Sequence, residues 1–236
     1  MTHILCIETG TSTCSVAVGN ETGIVGFKDI NDSRAHASHL SMLIQDIFSE
    51  IGFSISSVDA VAVSKGPGSY TGLRIGVSAA KGICYSLGKP LLSVGSLDSM
   101  VHGVAGFING LNPGDISLFC PMIDARRMEV YTALFDSSKN RITEVEAIIV
   151  SSNSFASFLD SGKILFFGNG APKCRSVITH PNAIFIDRFE PSARFMLPLA
   201  LKAFKNQQLE DVAYFEPFYL KDFVATMSKN KVLPGN

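Results

Sequence analysis

The sequence predicts an α/β protein of two related lobes, each a mixed sheet with flanking helices. Three observations carry this. The N-terminal half reads strand, strand, strand, helix, strand, helix, strand, helix, which builds an antiparallel start and a parallel continuation. The C-terminal half echoes it as strand, turn, strand, strand, helix, strand, helix. Between them lies the turn-rich Gly110-Leu111-Asn112-Pro113-Gly114. The division predicted is a first lobe over 1–110, a second over 111–213 and an aromatic tail over 214–236.

Each element has its own signal. Ile4 to Ile7 is a short apolar run, Glu8-Thr9-Gly10-Thr11-Ser12 a turn, and Cys14 to Gly19 and Ile24 to Lys28 two strands about a hairpin turn. Leu40, Leu43, Ile44, Ile47, Phe48 and Ile51 recur at helical spacing, predicting an amphipathic helix over 36–51. Val58 to Val63 is a buried strand and Leu73 to Leu87 an apolar helix. Leu91 to Val94 is a strand, and Ser96 is placed to cap a helix ending near Asn109. In the second half, Ile116 to Met122, Met128 to Phe135, Arg141 to Val150, Ile164 to Phe167 and Ile184 to Ile186 read as strands. Asn153 to Leu159 and Ser192 to Asn206 read as helices. The tail carries Tyr214, Phe215, Phe218, Tyr219 and Phe223, suited to packing on the body or on a partner.

Composition bounds the function. Apolar residues are 46% of the 236, ample for a core, and the net charge is −1 with no run of five basic residues, so no strong nucleic-acid footprint is written in the chain. A basic patch assembled by folding stays open. The five cysteines (Cys6, Cys14, Cys84, Cys120 and Cys174) are odd in number, form no C-x-x-C and sit mostly in apolar runs. That usage predicts buried free thiols in a reducing compartment. No signal-peptide pattern opens the chain and no apolar run reaches the roughly 18 residues of a membrane span, so a cytoplasmic protein is expected.

The segment Ser64 to Gly76 is strand, glycine-rich turn and helix start, with Ser69 or Thr71 as helix cap. It lacks the lysine of a Walker loop, which favours a structural turn over a phosphate site. Gly72, Gly76 and Ala80 stand at i, i+4 and i+8, and such a stripe asks for a close helix neighbour, from this chain or from another. Two apolar helices after one sheet edge favour another chain. The predicted partner surface is therefore Leu40, Leu43, Ile44 and Ile47 of the first helix with Tyr70, Gly72, Leu73, Gly76, Ala80 and Ile83 of the second.

Three motifs then carry a resemblance. Glu8-Thr9-Gly10-Thr11 between strands resembles the first phosphate loop of the actin, sugar-kinase and Hsp70 superfamily. Adding G-P-G-S-Y-T-G-L-R-I-G (66–76, with Gly66, Gly68, Ser69, Thr71 and Arg74) and D-A-R-R-M-E-V-Y (124–131, with Asp124, Arg126 and Glu129), the chain resembles the TsaB (YeaZ) family, strongly over 1 to about 135. Tyr219-Leu220-Lys221-Asp222-Phe223 resembles the end of some members. The resemblance implies an actin-like ATPase (ribonuclease H-like) fold in each lobe. It implies a non-catalytic scaffold that dimerises with TsaD, which transfers threonylcarbamoyl to N6 of adenosine 37 in tRNAs reading ANN codons. TsaC supplies the donor, TsaE joins a ternary complex, the scaffold forms a homodimer when alone, and tRNA is met only indirectly.

Two other functions are weighed against that one. An active ATPase or kinase needs working phosphate loops. Glu8 stands where the superfamily usually has aspartate, reading better as a turn acceptor than as a metal relic, and Asp124-Ala125-Arg126-Arg127 has no glycine. Glu8, Thr9, Gly10 and Thr11 remain a possible vestigial nucleotide loop, with weak nucleotide binding open. A metallopeptidase needs H-x-x-x-H on a helix, and Ser96 and Met100 occupy the matching positions. His36 and His39 read as solvated residues rather than a metal pair. Arg126, Arg127 and Glu129 are expected to form ion pairs at the lobe junction. No catalytic residue, metal or cofactor is expected.

Overall fold

The computed structural model describes residues 1–31, 36–108 and 111–221, with backbone alone at 36, 37 and 113. The His36 side chain, the helix end near Asn109, the Gly110 boundary and the tail from Asp222 onward lie outside the described residues.

Two separate sheets form the body. In the first, β1 (Ile4–Glu8) pairs antiparallel with β2 (Thr13–Asn20) and parallel with β4 (Ala60–Gly66). β3 (Gly23–Asn31) and β5 (Leu91–Gly95) complete the order β3-β2-β1-β4-β5. In the second, β6 (Leu118–Asp124) pairs antiparallel with β7 (Glu129–Thr132), which pairs with β9 (Glu146–Ile149). On its other side β6 runs parallel to β10 (Ile164–Phe167), itself parallel to β11 (Ala183–Phe185), giving the order β11-β10-β6-β7-β9. The short β8 (Phe135–Asp136) folds back onto β6. Both sheets are thus mixed and share one plan.

The first sheet is covered on both faces. α1 (His36–Ile51) and α2 (Tyr70–Leu87) bury Leu40, Ile47, Val77 and Ala80 against Leu5, Ile7, Val61 and Val63. The alternate residues Ile4, Cys6, Ala60 and Ala62 face Met196, Leu197 and Ala200, at the start of and within α6 (Leu197–Lys205). Period-two alternation sends successive side chains to opposite faces, and over β1 and β2 both faces are dry, while the edge strand β3 is largely exposed. α6 therefore belongs in space to the first sheet, although the sequence division places it in the second lobe. Its apolar stripe covers the face that α1 and α2 leave open, where an uncovered Ile4 and Cys6 would lie in water. α3 (Ser96–Gly103) makes the converse crossing: Leu97, Met100 and Val101 pack with Phe119, Phe135, Leu165 and Phe167 of the second lobe. The other face of the second sheet packs Cys120, Ile164 and Phe166 with α4 (Ala156–Ser161) and α5 (Ala171–Cys174).

Several local readings change. Ser96 is the first residue of α3 rather than its cap, Gly95 takes the cap position, and the Ser96 hydroxyl is buried with no hydrogen-bond partner among the described residues. The 128–135 run is interrupted after Thr132, where Thr143 Oγ1 accepts from Leu134 N at 2.8 Å and draws the chain toward β8. The 141–150 run forms a strand only over β9, with Arg141 bridging Phe135 as an isolated antiparallel pair. The final helix opens with a 3-10 turn, Ala193–Met196, before the α-helical α6.

The tail returns across the body. Glu210 N donates to Leu91 O at 2.8 Å, and Glu210 Oε1 accepts from Ser93 Oγ at 2.5 Å, capping the β5 edge. Lys81 Nζ donates to the carbonyls of Ala213 (2.9 Å) and Phe215 (3.1 Å). Phe218 N donates to Lys65 O at 2.7 Å, and the Tyr219 and Tyr70 rings lie 4.8 Å apart. Lys221 ends the described strap with an ion pair to Glu129 of the second lobe.

Candidate functional site

The strand-turn-strand loop and the glycine-rich turn are packed on each other. Ser69 caps α2 by accepting from Gly72 N at 3.2 Å, while Ser69 N donates to Gly10 O at 2.7 Å. Thr9 Oγ1 donates to Gly72 O at 2.8 Å. A Cβ at Gly68 would overlap the Gly10 carbonyl, one at Gly72 the Thr9 carbonyl, and one at Gly76 the Thr9 hydroxyl. Glycine is needed at Gly68 and Gly72 because two backbones touch there, and at Gly76 because the Thr9 side chain fills the space. Gly66 sits at φ 105° beneath the Phe218 carbonyl of the strap.

This overturns the reading of the small-residue stripe. Gly72, Gly76 and Ala80 face the chain's own first loop and sheet, and Leu40, Leu43, Ile44, Ile47 and Leu73 are core residues. An amphipathic helix turns its apolar stripe inward, so eight of the ten predicted contact positions are internal. Tyr70 and Ile83 are half-buried at the surface. Leu40 still shows an edge in a surface groove of about 520 Å³ between α1 and α2, whose other walls include Ser41, Thr71, Arg74, Ile75 and Ser78. Arg74 Nη1 donates to the Tyr70 hydroxyl at 3.2 Å. The outward face of α2 thus carries Thr71, Ile75, Ser78 and Gly82, at i, i+4, i+7 and i+11. A Cβ at Gly82 would meet nothing within 4 Å among the described residues. Sequence reasoning missed this second stripe; an unexplained glycine inside a helix was its signal.

The first loop is closed. Glu8, Thr9, Gly10 and Thr11 are all buried. Glu8 Oε1 accepts from Gly10 N at 2.6 Å and from Ser64 Oγ at 3.0 Å. Burial pushes the Glu8 carboxyl up to about 7, against the pull of those two hydrogen bonds. Thr11 Oγ1 accepts from Thr13 N at 3.3 Å. The Gly10 and Thr13 amides are held by the loop's own side chains.

The second loop is likewise filled from within. Asn169 Oδ1 accepts from Asp124 N at 3.0 Å, and a Cβ at Gly170 would stand 3.0 Å from the Asp124 nitrogen. Gly168, at φ 100°, lies against Met100 and the Met122 carbonyl. The predicted ion pairs resolve differently from expectation: Asp124 pairs with Lys173 and Glu129 with Lys221, while Arg126 and Arg127 enter no ion pair among the described residues. The arginines sit exposed at the turn tip, and the carboxylates beside it are taken by a helix lysine and a tail lysine. Ser96 and Met100 are buried at the positions of the absent histidines. Among the described residues, no group of three or more His, Cys, Asp or Glu gathers as metal ligands would.

A fold of two such sheets, with α3 and α6 crossing between lobes and a closed strand-turn-strand loop, defines an actin-like α/β protein. An activator of 2-hydroxyisocaproyl-CoA dehydratase from Clostridium difficile, solved with bound ADPNP, shares the fold at TM-score 0.51 and 12% identity over 88% of this chain and 96% of that one. A Pseudomonas aeruginosa protein described as similar to peptidase YeaZ superposes at TM-score 0.79, 24% identical over 94% of this chain and 100% of its own. The family model of TsaD, tRNA N6-adenosine threonylcarbamoyltransferase, matches residues 24–229. The tRNA threonylcarbamoyladenosine biosynthesis protein TsaB of Escherichia coli K12 is 32% identical over 239 residues, 99% of each chain. The chain belongs to the TsaB (YeaZ) family, within the wider TsaD family. No helix among the described residues is long and apolar enough to cross a membrane.

Proposed function

We propose that this chain is an accessory scaffold of tRNA threonylcarbamoyladenosine biosynthesis that pairs with TsaD and carries no active centre of its own. The transferase complex would place threonylcarbamoyl on N6 of adenosine 37 in tRNAs reading ANN codons, with TsaE as a further subunit and a homodimer when TsaD is absent. The observation that carries the reading is the closed first loop. In place of an open phosphate cradle, Glu8 holds the Gly10 amide, and Thr9 and Gly10 are packed under the glycine-rich turn. A member of an ATPase-like fold with that loop sealed is suited to holding another subunit in shape.

The partner face is the outward side of the α1–α2 pair. Its groove is open, and no neighbour among the described residues requires a glycine at Gly82. A helix crossing of two chains at this point would need that missing side chain, as in close helix packing. The compartment is cytoplasmic, and neither a metal nor a bound nucleotide is required. The test is co-purification with TsaD together with nucleoside analysis of tRNA after depletion of the chain. Loss of threonylcarbamoyladenosine on depletion, and a one-to-one pair, are the expected results. Steady ATP turnover by the isolated chain, or unchanged tRNA after depletion, would refute the proposal.

A further inference from the structure

The tip of the β6–β7 hairpin carries two arginines in a backbone shape that arginine seldom takes. Arg126 has φ 73° and Arg127 φ 48°. Left-handed backbone crowds Cβ against the following carbonyl and is favoured by glycine or asparagine. Both side chains are exposed. The turn is held from beneath: Arg126 N donates to Asp124 Oδ1 at 2.9 Å, Ala125 N to Glu129 O at 3.0 Å and Glu129 N to Arg126 O at 3.1 Å. The neighbouring carboxylates are occupied by Lys173 and Lys221. Four cations therefore surround two carboxylates, a local balance of +2 in a chain of net charge −1.

We propose that the Arg126–Arg127 tip contacts the phosphodiester backbone of tRNA. The proposal rests on the function argued above and deepens it, since tRNA then touches this chain directly. A guanidinium presents a planar fork that matches two phosphate oxygens. A terminal nucleotide phosphate is usually cradled by backbone amides, and three amides of this turn are already bonded within it. What the tip offers is two long, exposed, cationic side chains, which suit an open surface of repeating phosphates. Positive φ at two successive arginines is the kind of local cost that persists where a side chain has a use.

The test replaces Arg126→Asn and Arg127→Gly together. Both new residues accept positive φ, so the turn keeps its shape and loses its charge. An unmodified tRNA transcript is titrated by fluorescence anisotropy across a salt series, with the chain alone and with its co-purified pair with TsaD. The expected result is tRNA binding at least tenfold weaker at about 0.1 M salt, with the slope of log K against log salt shallower by about 1.5, as two lost phosphate contacts require. Thermal stability stays equal or rises, pairing with TsaD is unchanged, and Arg126→Lys with Arg127→Lys keeps most of the slope. Unchanged affinity and slope would overturn the proposal, as would a parent protein that binds no tRNA. Lost TsaD pairing at constant slope would also overturn it and assign the tip to an acidic protein surface. The two readings fail differently. If depletion of the chain leaves threonylcarbamoyladenosine intact, the function above falls. If depletion removes it and the Asn-Gly variant restores it with normal tRNA binding, only the arginine contact falls.

Discussion

The Thr9 hydroxyl donates to the Gly72 carbonyl at 2.8 Å, across 63 residues of sequence, and both groups are buried. This bond joins the first loop to the first turn of α2. It explains why Gly68, Gly72 and Gly76 follow one another at four-residue spacing: each lets the helix edge settle on Gly10 or Thr9.

Gly76 and Gly82 therefore separate fold from surface. Gly76→Leu drives a side chain into Thr9 and Val63, and overpacking of this kind costs about 1–3 kcal/mol or more. The variant is expected to unfold at clearly lower urea concentration. Gly82→Leu meets open space and gains helix propensity, so its stability should rise by up to about 1 kcal/mol. If the outer face of α2 binds TsaD, Gly82→Leu also blocks the pair in sedimentation while the monomer stays folded. A Gly82→Leu protein that pairs normally would move the interface elsewhere.

Glu8 gives the fold a pH dependence of defined sign. Its folded carboxyl titrates at about 7 because it is buried, against 4.5 when unfolded. Below pH 4.5 both states hold the proton and nothing is lost. From there to pH 7 the unfolded chain releases its proton more readily, so stability falls as pH rises and then levels off. The difference is on the order of 3 kcal/mol. Glu8→Gln keeps an oxygen for Gly10 N and Ser64 Oγ without the charge. Urea midpoints should show it more stable than the parent at pH 8, with the gap closing toward pH 4.5. Parallel curves for the two proteins would show that Glu8 titrates normally.

Much of this was legible in the sequence, for identifiable reasons. Helix α1 was readable to its ends because Leu40 to Ile51 repeat at 3.6-residue spacing, and β10 because Ile164 to Phe167 is a short apolar run between turn residues. The two-sheet plan followed from element order. The direction of the small-residue stripe did not, because Gly72, Gly76 and Ala80 fit a close neighbour of any origin. That neighbour was Thr9, and only the tertiary fold brings it there. The placement of α6 on the first sheet was hidden for the same reason, since its period marks one buried stripe and says nothing of which sheet receives it. The hairpin tip gave no local signal of positive φ, as arginine is not a turn former.

The cysteines offer a direct check on the core. All five are buried and free. Burial raises Cys6 and Cys120 to about 12 and Cys14 and Cys84 to about 11. The thiolate is the reactive form, so native protein at pH 8 should titrate with close to no thiol by a disulfide reagent in minutes, and with five after unfolding in guanidinium. One fast thiol in the native state would identify a locally open segment near that residue.

The strap supplies the last prediction. Lys81, on α2, holds the carbonyls of Ala213 and Phe215 with one ammonium group, and Val212 and Phe215 pack on the first core. Beyond them Phe218 bonds Lys65, and Tyr219 lies against Tyr70 at the rim of the α1–α2 groove. Removing the ammonium leaves two carbonyls without their donor but frees them toward water, so the cost is that of charged hydrogen bonds at a partly exposed site, about 1–2 kcal/mol. Lys81→Met keeps the aliphatic stem and should lower the urea midpoint by that amount. Amide exchange should quicken from Glu210 through Tyr219, while β1 and β4 amides keep their protection. The order of effects matters, because Lys81 is the first clamp and Tyr219 lies downstream of it. Tyr219→Ala alone should speed exchange only near Phe218. Equal exchange in the Lys81→Met and parent proteins would mean that Val212 and Phe215 hold the strap without the lysine.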